Sequence, residues 1–215
     1  MKRPELLAPA GDMECLETAV HFGADAVYIG GEAFSLRVAA DNFTPEEMRE
    51  GIEFAHAMGK KVYVTANIIP HNRDLKEMER YFKEIYELGA DAVLISDLGA
   101  FNICRKAAPD LEIHISTQAN NTNYMTVQSW HEMGAKRVVL AREMTLSEVR
   151  EIRDNISREC ELEIFMHGAM CVSYSGRCLS PNTNSKLHFS AIRLVFSIAS
   201  GAYLKRAFIS SSLFK

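Results

Sequence analysis

Short β-rich apolar runs alternate with longer stretches of helical amphipathic period along this chain. The strand-like runs are 5–8, 26–29, 61–66, 92–95, 112–116, 137–141 and 161–166. Between them lie helical patterns over 12–22, 45–58, 75–88, 100–107, 124–133 and 146–155. Four helical patterns stop at a glycine, Gly23, Gly59, Gly89 and Gly134, where a left-handed residue can end a helix. GADAV occurs at 23–27 and again at 89–93, and GAKRVV at 134–139 is a degenerate third copy. Thr44-Pro45-Glu46-Glu47 reads as a helix start, and the T-L-S-E run from Thr145 to Glu148 as a capping box. Strands and helices in strict alternation predict an α/β fold with a parallel sheet. The expectation is an incomplete (β/α)8-type barrel of about seven strand units over residues 1–179, followed by an atypical tail over 180–215. An open doubly wound sheet is the alternative. It is weakened because no G-x-G-x-x-G follows the first strand.

In a βα barrel the functional groups gather where strands end. Those positions here are unusually polar: Asp12; Glu32 and Arg37; Asn67 and His71; Ser96-Asp97; His114, Ser116, Thr117, Gln118 and Asn120; Arg142-Glu143; and His167. Taken singly, Asp12 and Asp97 also suit helix caps, Asn67 a loop amide, and His114, between Ile113 and Ile115, a buried barrel histidine. Their convergence on one mouth is the stronger signal.

The run E-I-F-M-H-G-A-M-C-V-S-Y-S-G-R-C-L-S at 163–180 concentrates the most reactive side chains, with Cys171 and Cys178 seven positions apart. Thiols beside an imidazole suit either a nucleophile–base pair or soft-metal ligation. The five cysteines are odd in number and scattered, and no apolar leader or 18-residue apolar run is present, so reduced thiols in a cytoplasmic protein are expected. The net charge of -4 places any nucleic-acid contact on a local patch. G-x-S-x-G, H-E-x-x-H and Walker motifs are absent.

The 163–178 run resembles the signature of the collagenase-like peptidase family numbered thirty-two among peptidases of unknown type. The opening PELLAPAGDMECLETAVHFGADAVYIGG, the FSLRVAADNF run at 34–43 and HISTQANN at 114–121 are similar to that family too. The resemblance covers roughly residues 3–179 and implies an α/β barrel. It implies one of two activities. The first is oxygen-independent hydroxylation of RNA, transfer RNA above all, with prephenate as hydroxyl source and an iron–sulfur cluster on four cysteines; Cys171 and Cys178 match the first two. The second is collagenase-like proteolysis. On the hydroxylase reading, His167, His114, Asn67 and Gln118 line the catalytic pocket, and Arg37, Arg142 and Glu143 bind substrate. The partner is then RNA, or a polypeptide on the second reading, with no membrane involved.

The match is expected to stop after Leu179. Residues 181–215 contain none of the chain's 28 acidic residues and no cysteine. The tail therefore reads as out of frame or unstructured, with a basic-apolar helix over 187–208 as the alternative. Either way the family's third and fourth cysteines and an eighth strand are expected to be missing and the barrel open, and an inactive fragment is a further alternative for the chain.

Overall fold

The computed structural model describes residues 3–36, 42–168, 174–176 and, as backbone, 191–196. Seven strands run parallel: β1 (Glu5–Pro9), β2 (Ala26–Gly30), β3 (Lys61–Ala66), β4 (Ala92–Ile95), β5 (Glu112–Ile115), β6 (Arg137–Val139) and β7 (Glu161–Gly168). Six helices follow the first six strands: α1 (Met13–His21), α2 (Pro45–Ala57), α3 (Leu75–Glu87), α4 (Leu98–Ala107), α5 (Tyr124–Glu132) and α6 (Leu146–Asp154). A one-turn 3-10 helix, Thr117–Ala119, sits between β5 and α5.

One expectation is corrected. The eighth strand is present: β8 (Ala191–Phe196) pairs antiparallel with both β7 and β1 and closes the sheet. It lies in the acid-free tail, which was expected to be out of frame or unstructured, with a helix over 187–208 as the alternative. The two open edges of β1 and β7 explain the outcome, since each presents unpaired backbone groups that a strand satisfies and a helix does not.

Strand side chains alternate between two apolar environments. Val27, Ile29, Val62, Val64, Val93, Ile95, Ile113 and Ile115 face outward and pack with Leu16, Ile52, Phe82, Phe101 and Val127 of the helices. Leu7, Ala26, Tyr28, Tyr63, Ala92 and Leu94 form a separate cluster inside the barrel. Each fully buried Val, Leu or Ile contributes about 1.5–3 kcal/mol, so the outer layer is the main stabilising term. Small Ala26 and Ala92 leave room for Tyr28 and Tyr63 in the narrow interior.

The helix starts are locally specified. Asp12, Thr44, Asp97, Asn123 and Thr145 each accept a hydrogen bond from the backbone N–H three residues on. Thr44–Glu47 and Thr145–Glu148 form complete reciprocal capping boxes. Gly23, Gly59, Gly89 and Gly134 all take positive φ just past a helix end. The caps point the helices back so that all βα loops reach one end of the barrel.

Candidate active site at the barrel mouth

The mouth is lined with hydroxyls and amides that cross-link neighbouring strands. Ser35, in the loop after β2, shares a 2.9 Å hydrogen bond with Thr65 at the end of β3, and Thr65 Oγ1 also donates to the Ile29 carbonyl at 3.1 Å. A Cβ on Gly30 would lie 2.8 Å from Ser35 Oγ, which is why this position needs glycine. Asn67 ties three strands together. Its Oδ1 accepts from Leu36 N at 3.2 Å, its Nδ2 donates to Ser116 Oγ at 3.4 Å, and its carbonyl accepts from Ser96 Oγ at 3.0 Å. Fully buried Asn121 donates to the carbonyls of Ser116 and Val139 at 3.2 and 2.9 Å. Two non-glycine residues, Phe34 and Asn120, adopt left-handed backbone in the loops of this rim. Strain of that kind concentrates at functional sites.

The segment after β7 is docked onto this rim. Ser175 is fully buried. Its hydroxyl accepts from Arg142 N at 3.1 Å and from Arg142 Nε at 3.2 Å, and stands 3.4 Å from Thr117 Oγ1. Gly176, at φ +71, lies so close to the 3-10 turn that a Cβ would come within 2.8 Å of the Gln118 carbonyl. The Tyr174–Gly176 stretch of the reactive motif is thus fixed against the β5 and β6 loops. Beside it, a cleft of about 210 Å³ opens between Arg142, Met144, Leu146, Phe165 and Met166.

Inside the barrel lies a charged layer that sequence reading missed. Arg137, at the start of β6, donates to Glu5 Oε1 at 2.9 Å and to Glu161 Oε2 at 2.6 Å. Its Nη1 is 3.8 Å from Glu163 of β7, and its guanidinium lies over the Tyr63 ring at 5.2 Å. Tyr63 donates its hydroxyl to Glu5 at 2.9 Å. Burial pulls the Arg137 guanidinium down, but the charges of Glu163, Tyr63 and Glu5 outweigh it and the net shift is upward. The one sequence signal was the alternation of Glu161 and Glu163 with Leu162 and Ile164, which puts both acids on the inner face.

The predicted site residues divide into groups. Asn67, Gln118 and Arg142 meet at the mouth, together with Ser35, Thr65, Ser96, Ser116, Thr117 and Ser175. His167 is exposed at the mouth end of β7, just past a β-bulge after Phe165. Glu143 is exposed in the turn beside Arg142. His114 is elsewhere: it is fully buried inside the barrel, edge-on to the Tyr63 ring at 4.8 Å. Its Nε2 is 3.6 Å from Glu112, too long for a hydrogen bond, and neither ring nitrogen has a hydrogen-bond partner. Burial, and then the Arg137 charge, push its pKa down, which keeps the ring neutral. Arg37, Cys171 and Cys178 lie outside the described residues.

No group of three or more His, Cys, Asp or Glu among the described residues could hold a metal ion. Cys104 and Cys160 are buried, and burial pushes their thiols to about 12 and about 11, where they stay protonated and poor ligands. The described residues therefore do not supply an iron–sulfur site. No helix among them is long and apolar enough to cross a membrane.

The model of peptidase family U32 matches residues 11–188, nine residues further than the motif reading reached. The chain is 49% identical over 181 residues to tRNA hydroxylation protein P1 of Bacillus subtilis (strain 168), covering 84% of this chain and 42% of that protein. It is 48% identical over 179 residues to tRNA hydroxylation protein P of Escherichia coli (strain K12), covering 83% and 39%. It spans about two fifths of the length of these relatives. The solved structure of the U32 peptidase Mk0906 superposes with a TM-score of 0.59 at 16% identity, over 73% of this chain and 66% of that one, which supports the barrel fold. The family match covers β2 to β7 and the docked motif together, and this chain belongs to peptidase family U32.

Proposed function

We propose that this chain forms the barrel part of an RNA-hydroxylating protein whose substrate is transfer RNA. The observation that carries this reading is the docking of Tyr174–Gly176, the centre of the family motif, onto a mouth of neutral donors and acceptors. Near-half identity to two transfer-RNA hydroxylation proteins supports it. Hydroxyls and amides suit recognition of a nucleobase edge, which offers both donors and acceptors. Arg142, held in the mouth by Ser175, is placed to meet a phosphate or a carboxylate. Prephenate, with its carboxylates, is the proposed hydroxyl source.

An iron–sulfur cluster would supply redox chemistry through Cys171 and Cys178, but four-cysteine ligation needs two ligands more. The described residues do not provide them.

Proteolysis is the less supported reading. No histidine among the described residues hydrogen-bonds a serine, threonine or cysteine, whereas an activated nucleophile needs such a base.

The test is expression of this chain in a bacterium whose own transfer-RNA hydroxylation genes are deleted. Mass spectrometry of its transfer-RNA nucleosides is expected to show a nucleoside gaining one oxygen. Unmodified nucleosides together with cleavage of gelatin by the purified chain would sink the proposal and favour the peptidase.

A further inference from the structure

The large exposed apolar side chains are sorted between the two ends of the barrel. Ile69 lies in the β3–α3 loop, Leu98 opens α4, Tyr124 and Met125 open α5, Leu146 opens α6, and Tyr174 follows β7. All six stand at the mouth. Phe22, Met58 and Tyr86, at the C-terminal ends of α1, α2 and α3, are at the opposite end. Single exposed apolar residues need no explanation, but a ring of them around a polar mouth marks a contact surface.

Tyr174 is the best placed of the six. It is 58% exposed, yet the next residue is fully buried and the one after it is pressed against the Gln118 carbonyl. Its backbone is therefore anchored beside the β5 and β6 loops while its side chain remains exposed. An aromatic side chain on an anchored backbone has only two side-chain torsions to fix when a partner stacks on it.

We propose that Tyr174, with Tyr124 at the start of α5 on the same end of the barrel, is a stacking platform for unpaired bases of RNA. This rests on the reading of RNA as the substrate and adds how it is held. The partner follows from the chemistry. A base has a flat face that stacks on tyrosine and polar edges that suit the hydroxyls and amides of the mouth, while Arg142, bonded to Ser175, and the exposed Arg73, paired with Asp74, add positive charge at the same end. A base inside a duplex has no free face to offer.

The experiment measures fluorescence anisotropy of a labelled single-stranded RNA oligonucleotide, and of its blunt duplex, with the purified chain. Tyr174→Ala is expected to weaken single-strand binding about 5- to 150-fold, the range for losing one base–aromatic stack. Tyr174→Leu, which keeps apolar bulk, should weaken it too, whereas Tyr174→Phe should bind like wild type. Tyr86→Ala, at the opposite end, should have no effect. Wild-type affinity in both Tyr174→Ala and Tyr174→Leu, or a duplex bound as tightly as the single strand, overturns the platform and leaves the RNA reading standing. No RNA binding by the wild-type chain overturns both. A dimer in light scattering that Tyr174→Ala dissociates also overturns the platform, by making the rim a self-contact.

Discussion

His114 shows how a single residue changes meaning once its surroundings are known. Its place in the HISTQANN run suggested a mouth residue, and its alternation with Ile113 and Ile115 a buried barrel histidine; the second holds, since it is buried inside the barrel, where burial lowers its pKa. A lowered folded-state pKa means that the unfolded chain binds the extra proton. The associated stability is present above the unfolded value of about 6.5 and is lost as pH falls through the lower folded value. Urea unfolding between pH 8 and pH 5 should show this loss, and His114→Leu should flatten it. Arg137 has the larger effect on stability. Arg137→Met would leave Glu5, Glu161 and Glu163 without their shared cation, at a cost of about 3–5 kcal/mol. A melting temperature within a degree or so of wild type would contradict this account. Side-chain pairings such as Arg137 with Glu5, 132 positions apart, have no local signal and depend on closure of the sheet.

The elements were legible because their determinants are local. Every strand and helix over 5–166 lies within a few residues of its expected position, with Asp12, Thr44, Asp97 and Thr145 acting as caps. Thr145→Ala removes the side-chain half of the α6 capping box while the backbone N–H of residue 145 can still donate to Glu148, and should cost about 1 kcal/mol, read as a lower unfolding midpoint in urea. The Ser175–Gly176 anchor could not be read this way, since it is set by a close approach between segments about 60 residues apart. Gly176→Ala should push the segment off the 3-10 turn. Faster amide exchange at Arg142, whose N–H bonds to Ser175, is the expected result; unchanged exchange would show that the anchor tolerates a side chain.

At the scale of the whole molecule, closure depends on β8. Its antiparallel entry was not legible, because an acid-free apolar stretch carries no signal for which edges it will join. Removing residues 181–215 should leave β1 and β7 unpaired and produce concentration-dependent oligomers in light scattering; a monodisperse monomer would show the edges to be protected otherwise. The layer around Arg137 also has a consequence for the end of the barrel where the strands begin. One guanidinium faces three carboxylates there, Glu5, Glu161 and Glu163, so the barrel axis carries a negative potential. Such a field holds small anions away from the strand-start end of the barrel and favours cations there, so the two ends of one sheet differ in the charge they present to solvent.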